Sequence, residues 1–115
     1  MRTRGFLQGR DVEYDEVSLD QAEELRAEGA SVLDVRRVDE RKLKHIPRSV
    51  HIPIEELAGR EAELPEGRLL VVCATGVRSG VAAAMIEAAT GRMDVSSIAG
   101  GTNGWEVAGK PVDRG

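Results

Sequence analysis

Leu69-Leu70-Val71-Val72-Cys73-Ala74-Thr75-Gly76-Val77-Arg78-Ser79 decides the fold of this chain. Its first four residues are the most apolar short run in the sequence. Continuous hydrophobicity over a strand's length implies burial on both faces, as in a central parallel strand. The run leads directly into Cys73, and Ala74 to Arg78 is small and turn-like. Ser79 to Ala89 is rich in alanine, with Val81, Met85 and Ile86, which predicts a helix with a small, closely packing face. Gly91 ends it. A buried strand, a tight loop and a helix form one βα unit.

Working towards the N-terminus, Ile54 to Leu64 predicts one or two helical turns broken near Gly59. Val50, between His45-Ile46-Pro47 and Ile52-Pro53, predicts a very short strand that Pro53 forbids from continuing. The charge run Arg36 to Lys42 reads as a short solvated helix. Ser31 to Arg36 reads as a strand bounded by Gly29. Ser18 and Gln21 have the spacing of a capping box, and Leu19, Ala22 and Leu25 continue it at helical period towards an end near Glu28. Val12 to Val17 alternates like a half-buried strand. Residues 1–11 are basic and aperiodic, which predicts a loosely held arm before a domain over 12–115.

Towards the C-terminus, Val95 to Ile98 predicts a further strand, and Gly100 to Gly104 a turn before a short helical Trp105-Glu106-Val107. Strands and helices alternating at such short spacing predict an α/β domain with a mostly parallel sheet.

Composition narrows the function. The chain has 115 residues, enough for one domain and too few for two ordinary ones. Its formal charge of -4 argues against a nucleic-acid binder that works by neutralising phosphates. The three aromatics, Phe6, Tyr14 and Trp105, are too few for base-stacking platforms. No apolar run approaches a membrane span, and no apolar stretch follows Arg2, Arg4 and Arg10 as a secretory signal would require. Cys73 is the sole cysteine, so neither an internal disulfide nor a cysteine-rich zinc site is available. The expectation is a cytoplasmic protein without metal or cofactor and without nucleic-acid or membrane partners.

Cys73 ends a strand and faces the start of a helix. A thiolate there meets unsatisfied N–H groups, the positive end of the helix dipole and the concavity of a curled loop. Such a setting turns a mostly protonated thiol into a nucleophile at neutral pH. Gly76 frees the backbone where the loop must curl. Arg78 offers a planar fork of donors to an oxyanion, and Ser79 stands where its hydroxyl can cap a backbone donor. The competing reading makes Cys73 a small buried hydrophobe after a core strand and Arg78 an ion-paired surface residue.

The chain resembles the rhodanese homology domain, a family of sulfurtransferases. The resemblance spans about four-fifths of the sequence in several ordered motifs. Leu33-Asp34-Val35-Arg36, followed by Glu40, is similar to the family's LDVR signature, and His45-Ile46-Pro47 through Ile52-Pro53 to its HIPGA-x-x-IP stretch. Cys73 to Ser79 matches the C-x-x-G-x-R-S loop, and Gly100-Gly101 through Trp105 to Gly109, Pro111 and Val112 the closing pattern. Each motif alone is moderately specific; their joint order is highly specific. The resemblance implies a central five-stranded, mostly parallel sheet flanked by helices on both faces. It also implies that Cys73 takes the sulfane sulfur of a donor such as thiosulfate or a persulfide, as a cysteine persulfide. A thiol, cyanide or protein acceptor then removes it in ping-pong fashion. By the same resemblance the loop Ala74, Thr75, Gly76, Val77, Arg78 and Ser79 stabilises the persulfide, and Arg78 attracts and orients an anionic donor. Asp34 and Arg36 read as a structural ion pair near the sheet's end.

Four positions depart from the family's pattern: Arg48-Ser49 where Gly-Ala is usual, Arg41 where an aromatic is common, and Lys44 in place of a glycine. They bear on local packing and on which partner docks. A noncatalytic partner-binding module is an alternative, weakened by the retained Cys73 and Arg78. A cysteine-loop phosphatase or arsenate reductase is another. Phosphatases place five residues between cysteine and arginine, whereas Ala74, Thr75, Gly76 and Val77 make four here, a smaller pocket better sized for sulfur. His45 and His51 lack a zinc pattern and read as structural or exposed. The closing glycines lack a Walker lysine and read as a turn, and Met85 and Met93 read as gap-fillers.

Overall fold

The computed structural model describes residues 2–7 and 9–115. In chain order the elements are β1 (Arg2–Leu7), β2 (Arg10–Val17), α1 (Leu19–Ala27), β3 (Ser31–Asp34), α2 (Val38–Leu43), β4 (Val50–His51), β5 (Leu69–Val72), α3 (Val77–Thr90), β6 (Val95–Ile98) and α4 (Gly101–Val107). Two 3-10 turns, Ile54–Glu56 and Glu61–Glu63, lie on either side of Gly59. The predicted capping box closes α1: Ser18 Oγ accepts from the Gln21 N–H at 3.1 Å, and Gln21 Oε1 accepts from the Ser18 N–H at 2.9 Å.

The strands form one sheet in the order β1-β2-β6-β5-β3-β4, parallel except for β1 against β2. The five strands β2 to β6 match the expected sheet. The sixth lies in the segment read as an arm: β1 pairs antiparallel with β2 along its length, Thr3 opposite Tyr14 and Gly5 opposite Val12. Composition hid it because Gly5 weakens any strand pattern. Its lack of a side chain has a use, since a Cβ there would lie 3.3 Å from the Tyr14 ring.

β5 is buried along its length, and its alternation sorts two cores. Leu69, Val71 and Cys73 join Ala82, Ala83 and Ile86 of α3 on one face, while Leu70 and Val72 join Ala22, Ile98 and Trp105 on the face of α1 and α4. β5 and β6 therefore deliver the loops that follow them to the carboxyl edge of the sheet, where open α/β folds hold their sites.

Several element boundaries differ from the sequence reading: β2 begins at Arg10 and not at Val12, and β3 ends at Asp34 and not at Arg36. α3 begins at Val77, two residues before Ser79, because Gly76 turns the chain at φ 107° and the helix starts immediately after it. α4 begins at Gly101, not at Trp105. Glycines carry poor helix propensity, so the pattern read as a turn; the first turn of α4 is built from them because it presses against the backbone of the Cys73 loop.

Candidate active site

Cys73 leaves β5 pointing to the α3 side and is fully buried. Its Sγ accepts a hydrogen bond from the Gly76 N–H at 3.0 Å and lies 3.4 Å from Ser79 Oγ. Burial pushes the thiol up. The Ser79 hydroxyl, then the backbone N–H groups of Ser79, Gly76 and Thr75, pull it down by more, so its pKa lies below the ordinary value. The curled loop is thus an anion cradle around one sulfur atom. Thr75 and Val77 are exposed at its rim, Ala74 is half-buried, and Gly76 and Ser79 are buried beneath. Ser79 does not cap a backbone donor. As the third residue of α3 it turns its hydroxyl inward, to Cys73 and to Ser97 Oγ at 2.7 Å.

α4 fixes the loop from below. The Thr102 N–H and hydroxyl both donate to the Cys73 carbonyl, at 2.8 and 3.2 Å, and the Asn103 N–H donates to the Ala74 carbonyl at 3.0 Å. A Cβ on Gly101 would lie 2.4 Å from the Cys73 carbonyl oxygen, and Gly101 has φ +60°. The contact leaves no room for a side chain. The anchoring role of Gly101 and Thr102 escaped the sequence reading; the glycine pair beside a strand end was the available signal.

Arg78 is the cation of the loop. Its two terminal nitrogens donate to the two carboxylate oxygens of Glu40 at 2.7 and 2.8 Å, tying α3 to α2. The Arg78 guanidinium hydrogen-bonds Glu40 and holds its carboxyl at about 2, and Glu40 raises Arg78 in turn. Arg78 is a third exposed, so the bound fork still borders solvent. Behind it, buried Asp34 accepts from Arg36 Nη2 at 2.8 Å and Arg36 Nε at 3.0 Å, the structural pair read from the sequence.

The four departures from the family's pattern have local partners or local strain. Arg41 donates to Ser49 Oγ at 2.8 Å and to its carbonyl at 2.9 Å, so these two are matched to each other. Lys44 pairs with Glu106 of α4 at 2.5 Å. Arg48 has φ 61°, the left-handed backbone for which glycine is the usual residue. His51 Nε2 lies 2.7 Å from the Arg36 carbonyl, and His45 Nδ1 lies 3.3 Å from the Arg41 carbonyl. Neither joins a metal-ligating cluster among the described residues. Met85 packs on the core, but Met93 is 87% exposed and fills no gap, since it follows Gly91 outside α3. No helix among the described residues is long and apolar enough to cross a membrane.

The family model of the rhodanese-like domain matches residues 18–108. The thiosulfate sulfurtransferase GlpE of Pseudomonas syringae is 39% identical over 97 residues, covering 83% of this chain and 90% of the relative. An HTH-type transcriptional regulator of Mycobacterium tuberculosis is 38% identical over 105 residues; the match takes in 87% of this chain but spans only 46% of the regulator. Among solved structures, a rhodanese-related protein from Thermoplasma volcanium superposes with a TM-score of 0.78 at 29% identity, over 87% of this chain and 98% of its own. The family model matches most of the chain and the GlpE relative is covered over nine-tenths of its length, so the chain belongs to the rhodanese-like domain family.

Proposed function

We propose that this protein is a sulfurtransferase that carries a sulfane sulfur on Cys73. The observation that carries the reading is the buried Sγ held by the Gly76 N–H and beside the Ser79 hydroxyl, with a pKa below that of an ordinary thiol. The Cys73 thiolate attacks the outer sulfur of thiosulfate or of a persulfide, the donor's S–S bond breaks, and sulfite or a thiolate leaves with the electron pair. Cys73 is then a persulfide whose negative charge lies within reach of the loop donors. A thiol, cyanide or a protein thiolate attacks the outer sulfur in a second step, so donor and acceptor never need to be bound together. Arg78 attracts an anionic donor with the charge that it shares with Glu40. Histidine is not required as a base where the thiolate is already formed. A reducing cytoplasm suits the chemistry, because it keeps Cys73 free.

The test is the intact mass after incubation with thiosulfate and removal of the excess, beside Cys73→Ser. A gain of one sulfur, lost to cyanide as thiocyanate and absent in the variant, is the expected result. Folded, fully reduced protein that takes no sulfur from thiosulfate or from a persulfide donor overturns the reading and favours a noncatalytic, partner-binding module. The likeness to a transcriptional regulator gives that second reading its support.

A further inference from the structure

Ser97 is a hydroxyl in the middle of β6, fully buried, with Val71 of β5 and Glu16 of β2 as its register partners. Burying a hydroxyl is costly unless it is satisfied. Its side-chain contact is Ser79 Oγ at 2.7 Å, and Ser79 Oγ is in turn 3.4 Å from Cys73 Sγ. Three side chains from β6, α3 and the residue that follows β5 therefore form a buried chain that begins at the sulfur and ends in the sheet.

A hydroxyl has one proton to give and two lone pairs to receive with, so the chain can run in two directions, of which only the thiolate one uses every proton. With a thiol, Cys73 S–H donates to Ser79 and Ser79 donates to Ser97. With a thiolate, Ser97 donates to Ser79 and Ser79 donates to the sulfur. Two rotors turn and no heavy atom moves. We propose that Ser97 is a positioning residue for Cys73, acting through Ser79: by donating to Ser79 Oγ it aims the Ser79 proton at the sulfur anion and strengthens that bond.

The inference rests on the reading of Cys73 as the sulfur carrier, and it assigns Ser97 a part in both half-reactions. In the first it raises the thiolate fraction. In the second, the acceptor's electron pair forms a bond to the outer sulfur, the Cys73–sulfur bond breaks, and its pair returns to Sγ; a thiolate that is better stabilised leaves faster. Tyr14 and Arg78 are the titratable groups that interact electrostatically with Cys73. Tyr14 of β2 is pushed up by burial, by Glu16 and by Cys73 itself, while Arg78 of α3 is pushed up by Glu40 of α2. On β3, Asp34 is held by Arg36, and β6 carries no titratable side chain.

The experiment follows the ultraviolet absorbance of the thiolate against pH in the full chain. The wild type, Ser97→Ala, Ser97→Gly, Ser79→Ala and the Ser79→Ala/Ser97→Ala pair are compared, each checked for cooperative unfolding. Loss of Ser97 should raise the midpoint by about half a pH unit, and loss of Ser79 by more. In the Ser79→Ala background, removing Ser97 should add nothing. An unmoved midpoint in either folded single variant at position 97, or a shift that persists without Ser79, overturns the proposal. Sulfur loading by mass, measured on the wild type alongside, separates the two ideas: failure to load overturns the sulfurtransferase reading, whereas the titration judges Ser97 on its own.

Discussion

At Cys73, burial and hydrogen bonding pull the thiol in opposite directions, and the hydrogen bonds win. The Ser79 hydroxyl is the largest of the lowering contributions, so Ser79→Ala should raise the thiol pKa and slow iodoacetamide alkylation at neutral pH several-fold. A rate at or above that of the wild type would remove Ser79 from the account. Arg48 is a residue-scale matter of another kind. At φ 61° an L side chain crowds its own backbone, and the position is one where the family pattern has glycine. Arg48→Gly relieves that strain but frees the unfolded chain, and the balance should be a gain of roughly 0.5 kcal/mol, read from the urea midpoint. The motifs revealed Cys73, the loop around it and the odd Arg48. They did not reveal Ser97, because a serine inside a strand carries no signal until the sheet brings β6 beside α3.

Among the elements, the one least visible in the sequence is α4. Its first turn is the anchor under the Cys73 loop, yet its glycines read as a turn because helix propensity speaks about isolated residues and not about what leans on them. Gly101→Ala sets a methyl 2.4 Å from the Cys73 carbonyl oxygen, a backbone atom that cannot swing aside. That should cost about 2–4 kcal/mol in thermal or urea unfolding and return the thiol pKa towards its ordinary value. A variant with unchanged stability and titration would show that the loop needs no support from below. α2 is the opposite case: its charge run was legible as a solvated helix, but the partner of Glu40 was not, since Arg78 lies 38 residues away. Pairing at that distance is a property of the fold.

For the whole molecule, the Glu40–Arg78 pair couples stability to pH. The carboxyl drops from 4.5 to about 2 on folding, so its stabilising contribution is fully present above 4.5 and disappears as the pH falls towards 2. With the side chain 19% exposed, allowance for solvent screening leaves roughly 2 kcal/mol. Glu40→Gln should be less stable than the wild type by that amount at pH 7, with the gap closing in acid; a gap that stays constant with pH would assign the loss to packing. The α/β class was legible because β5 announces itself as an apolar run and strand and helix signals alternate on either side of it; the five-strand count came with the family resemblance. β1 was not legible, since it is an edge strand with arginines and a glycine in place of an apolar pattern.

That same strand sets how the protein behaves in a crowd. A sheet can be extended by any chain that offers hydrogen bonds to a free border, and the two borders here differ. The β4 border is two residues long and offers little to copy. The β1 border is six residues long, enough to seed growth. Two such borders meeting antiparallel and centred on Arg4 would set Arg4 against its own copy, like charge on like charge. The arginines that hid the strand from the sequence reading thus also put charge on the one border long enough to be copied, the usual way an edge strand is kept from pairing.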